Sequence, residues 1–167
     1  MSVILNIETS SEICSVAISI DGEVDFHIES DESMKHAALL APYVDKCMEH
    51  LGRKDLCLDA VAVSIGPGSY TGLRIGMSMA KGLCFARNIP LIGINTLQLL
   101  AVKAMFAMRE SEGDEILVPM IDARRSEVYT ASYDLALREI IPPHPLILQP
   151  DSLKELEGKG KIVINSN

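Results

Sequence analysis

Apolar and polar positions along this chain change period repeatedly, and each change marks an element. Val3 to Ile7 is a short apolar run that reads as a strand. From Cys14 to Ile20 the pattern alternates, with Val16, Ile18 and Ile20 on one face. It alternates again from Glu23 to Ile28 through Val24, Phe26 and Ile28. Asp21-Gly22 between the two runs is a hairpin signal, so three strands with at least one antiparallel pair open the chain. The spacing then becomes helical. Leu40, Val44, Cys47 and Leu51 predict a helix over 35–51, with Pro42 expected in its first turn and Gly52 as its C-cap.

Ala60 to Ile65 reads as a buried strand, followed by Gly66-Pro67-Gly68 and an apolar-periodic helix over about 71–87 that opens at Ser69 or Thr71. A strand at 91–94 follows Pro90, and Thr96 is expected to cap a third helix reaching Met108. Glu110 to Glu115 is the first sustained polar break. Beyond it come strands at 116–121 and 128–133, a proline-broken segment at 142–150, a short helix near 151–157 and a last strand at 161–164. The pattern predicts an α/β chain with an N-terminal lobe over 1–98 (βββαβα with the strand at 91–94) and a second lobe over 99–167. That second lobe ends on a strand and is expected to be incomplete.

A chain of 167 residues can bury one good core or two small lobes. Its formal charge of -8 repels a nucleic-acid backbone and argues against tight unaided binding to RNA. Arg124-Arg125 is the densest basic spot, and Asp122 and Glu127 flank it, so it reads as an ion-pair cluster. The four cysteines have no C-x-x-C spacing, and Cys47 and Cys84 fall on apolar helical stripes as small core residues. The start is neither basic nor followed by an apolar signal region, and no apolar run is long enough to span a membrane, so a cytoplasmic protein with no membrane partner is expected.

The glycine-rich turn admits two readings. A strand, a tight turn and a helix start can aim backbone N–H groups at an anion, or the glycines can let the helix pack closely. A phosphate loop needs Gly-Lys-Ser/Thr after four residues, but Gly72 lies six positions after Gly66 and Leu73 follows it. A dinucleotide fingerprint would want glycine where Thr71 stands. The close-packing reading is favoured.

Three motifs occur in order: Ile4-Leu5-Asn6-Ile7-Glu8-Thr9-Ser10 with Cys14-Ser15-Val16-Ala17, then Gly66-Pro67-Gly68-Ser69-Tyr70-Thr71-Gly72-Leu73-Arg74-Ile75-Gly76, then Ile121-Asp122-Ala123-Arg124 with Glu127-Val128-Tyr129. Together they resemble the TsaB (YeaZ) family, which takes part in making threonylcarbamoyl-adenosine in tRNA. The resemblance implies an actin-like (ASKHA, ribonuclease H-like) two-lobe fold. It also implies a role without catalysis, as a scaffold or activator for a TsaD-like catalytic subunit, with a TsaE-like ATPase as a further partner. ATP and metal are then expected on the partner subunits and no cofactor on this chain. The isolated chain is expected to form a homodimer and to meet tRNA only through the complex. Two departures stand out: Glu8 occupies a position where the family often has Asp, and members usually continue past residue 167.

Glu8, Thr9 and Ser10 are the candidate nucleotide-contacting residues, since actin-like enzymes grip phosphate after the first strand. The competing reading is a strand-ending turn whose hydroxyls satisfy backbone groups, and it is preferred. TsaD-like enzymes hold a metal with two histidines four apart on a helix; here His36 is followed four positions on by Leu40, so a helix-start or surface histidine is expected. His27, His50 and His144 have no metal-binding neighbours in sequence. The helix at 71–87 has too much apolar perimeter for one neighbour to cover, with Arg74, Ser78 and Lys81 as its narrow polar stripe. The expected partner interface is Leu40, Tyr43, Val44 and Cys47 on the first helix with Gly72, Ile75, Gly76, Met79 and Leu83 on the second. The rival function is an ATP-dependent phosphotransferase of the same fold using Glu8 as its carboxylate. A peptidase reading finds no Ser-His-Asp, Cys-His or H-E-x-x-H arrangement to support it.

Overall fold

The computed structural model describes residues 1–30, 35–108, 111–156 and 158–166. They fall in two compact units, Met1–Ile94 and Asn95–Asn167.

In the first unit, β1 (Val3–Glu8) is the middle strand of a five-stranded sheet. On one side it pairs antiparallel with β2 (Cys14–Ile20), which pairs antiparallel with β3 (Glu23–Ser30). On the other side it pairs in parallel with β4 (Ala60–Gly66), and β5 (Leu91–Asn95) completes the order β3-β2-β1-β4-β5. Register places Leu5 opposite both Ile18 and Val61, and Ile7 opposite Val16 and Val63. One apolar face results, and α1 (His36–Arg53) and α2 (Tyr70–Arg87) cover it with Leu40, Val44, Cys47, Leu51, Ala80 and Cys84. An antiparallel hairpin followed by a helical crossover to a parallel strand is the expected actin-like, ribonuclease H-like lobe.

Local chemistry corrects several boundaries. Pro42 lies inside α1 and not in its first turn; it is solvent-exposed, where a missing N–H is least costly. The helix also continues through Gly52. Its left-handed stop is Asp55 (φ 54°), with Leu56 N–H donating to Leu51 O and Asp55 N–H to Gly52 O.

The second unit begins with α3 (Thr96–Ala107), capped by the Asn95 side chain accepting from Leu97 N–H (2.8 Å) and not by Thr96, which is its first residue. Its sheet has the order β8-β7-β6-β9, formed by β6 (Glu115–Arg124), β7 (Glu127–Tyr133), β8 (Glu139–Ile147) and β9 (Lys161–Ser166). Leu117 and Ile121 point to α3, while Ile116, Val118 and Met120 face a separate cluster closed by Leu156. The segment expected to be broken by prolines is in part strand β8. It lies at the sheet edge, where prolines need not donate to a ladder. The short helix near 151–157 reduces to one turn of 3-10 helix, Lys154–Leu156, and residue 157 lies outside the described residues. Among the described residues no helix is long and apolar enough to cross a membrane.

Candidate functional site: the strand end and the crest of α2

β1 ends in the turn Glu8-Thr9-Ser10, and the N-terminus of α2 is seated directly on it. Glu8 Oε1 accepts from Ser10 N–H (2.6 Å) and from Ser64 Oγ (2.9 Å). Ser69 N–H donates to Ser10 O at 2.6 Å, and Gly72 N–H donates to Ser69 Oγ at 3.3 Å. Ser69 N–H thus ties the helix start to the strand end, and Ser69 Oγ caps the helix. Side chains on Gly68, Gly72 or Gly76 would overlap Ser10 O, Thr9 O and Thr9 Oγ1 respectively. Gly66 adopts φ +104° and precedes Pro67 through a cis peptide bond. Of the two readings of this loop, the geometry is that of close packing. Thr9 is fully buried, and its Oγ1 has no partner among the described residues. Its hydroxyl therefore does not satisfy the turn as expected; Glu8 and the Ser10 carbonyl do that work.

The expected interface divides in two. Leu40, Tyr43, Val44 and Cys47 belong to the first unit's own core, with Cys47 at 0 % exposure, so α1 turns this stripe inward. Gly72 and Gly76 are buried against Thr9. These six are buried within their own unit, and a helical stripe looks the same in sequence whether it faces its own sheet or a partner. Ile75, Met79 and Leu83 pack against the edge of that core without being enclosed by it. They are half-buried and, with Gly82 and Ala37 of α1, line an open, mainly apolar groove.

Above the groove runs the crest of α2. Tyr70, Arg74 and Ser78 line this groove and also a second one on the β4 side, which holds Lys81. Arg74 Nη1 donates to Tyr70 Oη at 3.2 Å while its guanidinium lies 5.4 Å from the Tyr70 ring centroid. Phe85 continues the crest at 91 % exposure. The sequence reading missed Tyr70 and Phe85. The available signal was Phe85 four residues after Lys81, a large aromatic on the stripe assigned to water.

The remaining candidates are placed as follows. His36 does start α1, but it is buried rather than on the surface, and its Nε2 has no partner among the described residues. Among the described residues no three His, Cys, Asp or Glu side chains are grouped as metal ligands. Cys14, Cys47 and Cys84 are buried, and desolvation pushes the Cys47 thiol up to about 11. Arg124, Arg125 and Ser126 all adopt positive φ at the tip of the β6–β7 hairpin. There Asp122 Oδ1 accepts from the Arg124 backbone N–H at 2.8 Å, a bond that closes the turn.

A family profile described as "TsaD: tRNA N6-adenosine threonylcarbamoyltransferase" matches residues 30–165. The "tRNA threonylcarbamoyladenosine biosynthesis protein TsaB" of Escherichia coli (strain K12) is 38% identical over 78% of this chain and 54% of its own length. The protein of the same name from Bacillus subtilis (strain 168) is 30% identical over 96% of this chain and 69% of its own. The chain thus spans about half the length of the Escherichia coli relative and 69% of the Bacillus subtilis one. Among solved structures, "YeaZ from Pseudomonas aeruginosa" superposes with TM-score 0.69 at 32% identity, covering 90% of this chain and 68% of that one. A second structure, described as an uncharacterized protein with similarity to peptidase YeaZ from Pseudomonas aeruginosa, superposes over 100% of this chain and 85% of its own with TM-score 0.76 at 27% identity. The fold, the glycine-seated α2 and these likenesses agree: the chain belongs to the TsaB (YeaZ) family, within the wider group described by the TsaD profile.

Proposed function

We propose that this chain serves tRNA threonylcarbamoylation as a non-catalytic partner of a TsaD-type subunit, which it meets through α2. The names of its relatives support the pathway. One observation carries the docking role: Ile75, Met79 and Leu83 lie half-buried along an open groove, on a helix whose Gly72, Gly76, Ala80 and Cys84 side is already buried in its own unit. Large apolar side chains in an open groove gain from a partner that removes them from water. ATP, metal and tRNA are then handled on the TsaD-type and TsaE-type subunits, in keeping with a net charge of -8 on this chain. The phosphotransferase alternative would need Glu8 for a metal or a hydroxyl, whereas its Oε1 accepts two internal bonds.

The test is co-purification of the tagged chain with the TsaD-type subunit of the same organism. Met79→Asp is expected to abolish pairing while circular dichroism stays that of the parent. A folded Met79→Asp protein that pairs normally would put the interface elsewhere.

A further inference from the structure

We propose that the crest of α2 selects its partner by charge, accepting a docking face that carries carboxylates; this rests on the reading of α2 as the docking helix. Although the chain as a whole is acidic, positions 60–109 contain no Asp or Glu. Within that stretch α2 carries Arg74, Lys81 and Arg87 and no acidic residue. All three are exposed, and among the described residues none of them makes an ion pair. Arg74 is held by the Tyr70 ring and hydroxyl, contacts that orient a guanidinium without neutralising it.

Arg74 and Lys81 stand seven residues apart, two helical turns, which puts them on one face with about 10 Å between them along the axis. Arg74 lines the apolar groove beside Ile75 and Met79, while Lys81 lines the second groove across the crest. An apolar groove flanked by a crest that carries two cations fits an amphipathic helix whose own apolar strip is flanked by Asp or Glu about two turns apart. The flanking apolar residues favour such a protein helix over an RNA backbone, which would use the cations and leave the groove uncovered. A second copy packed α2 against α2 would return the same cations. Self-pairing on this face is then opposed at low salt and relieved as salt screens it, the reverse of the response of a carboxylate-bearing partner.

The experiment compares the parent chain with R74Q/K81Q and with Met79→Asp. Affinity for the TsaD-type subunit and self-association are measured by sedimentation between about 50 and about 500 mM NaCl, and circular dichroism is recorded for each protein. For the parent, affinity for the subunit should fall about tenfold or more across this range while self-association rises. R74Q/K81Q should lose most of that salt dependence, bind the subunit at least about tenfold more weakly at low salt, and self-associate more readily there. An R74Q/K81Q protein with parental affinity and salt slope overturns the charge selection, and if Met79→Asp still abolishes pairing, the docking face stands without it. Unchanged pairing by folded Met79→Asp overturns both. Loss of tRNA affinity in R74Q/K81Q with no change in subunit pairing would assign the cations to RNA and also overturn the proposal.

Discussion

The Thr9 hydroxyl occupies the space that a side chain on Gly76 would need, so the second turn of α2 rests on the end of β1 with no intervening layer. Gly76→Ala must push into a fully buried residue and should cost about 1–3 kcal/mol. Thr9→Ala removes the overlapped atom, a hydroxyl with no partner among the described residues, and should restore much of that loss in the double variant. Gly72→Ala collides with the Thr9 backbone carbonyl instead, and Thr9→Ala should not rescue it. Urea denaturation of the two pairs checks this. Equal rescue in both would mean that the helix shifts as a whole and does not meet Thr9 atom by atom.

Charge placed on the two stripes should have opposite consequences. Val44 is in the core, so Val44→Asp should unfold the first unit or lower its melting temperature sharply. Met79 packs on the edge of the core and opens to the groove, so Met79→Asp should lower the melting temperature far less than Val44→Asp. It should weaken pairing with the TsaD-type subunit by about 100-fold, an energy of about 3 kcal/mol. Thermal melts beside pull-downs separate the two cases, and a destabilised Met79→Asp with intact pairing would reverse the assignment.

Glu115 is buried and accepts from Ser111 Oγ (2.8 Å), Glu112 N–H (2.7 Å) and Gly113 N–H (3.0 Å). These bonds, that of Ser111 first, hold its carboxyl down at about 2 from the ordinary 4.5. A depressed carboxylate stabilises fully above its unfolded value, so this contribution is lost as pH falls from about 4.5 toward about 2. Glu115→Gln should flatten the acid side of the melting-temperature profile in that window. The parental slope in the variant would mean that the ladder of bonds carries no stability.

Asp25 on β3 joins two groups on and just after α1, with its oxygens 2.5 and 2.7 Å from Lys54 Nζ and 2.6 Å from His50 Nε2. The Lys54 bond first, then the His50 bond, lowers the Asp25 carboxyl below its ordinary 3.8. Stability from this cluster is present above that value and lost below it. Asp25→Asn should therefore melt lower than the parent at neutral pH and converge with it in acid. A gap that persists unchanged into acid would assign the effect to packing, such as the stacking of Phe26 on His50 at 4.7 Å.

The first sheet and its helices were legible because their residues obey one period each. The alternation of Val16, Ile18 and Phe26 and the helical spacing of Leu40 to Leu51 directly encode one buried face. The second unit was harder. Pro142, Pro143 and Pro145 look like breakers, and only the edge position of β8 makes them compatible with a strand. At the candidate site, spacing marked α2 as apolar on several sides but could not divide those sides. Gly76 and Met79 lie on neighbouring stripes, yet one meets Thr9 and the other opens to the groove. That division depends on the direction in which β1 ends, which is a property of the assembled sheet. The position of Phe85 was visible as a break in a polar stripe, but its meaning depended on knowing which stripe faces water.

Because α2 is shimmed by nothing larger than a hydrogen atom at Gly68, Gly72 and Gly76, it has little slack against the strand that carries it. A spacer of flexible side chains would let the helix roll and absorb a push; backbone against backbone does not. The start of α2 and the end of β1 meet with no side-chain layer of the helix between them. Any change in the path of the chain at Thr9 or Ser10 is therefore passed to the start of α2 without a cushion.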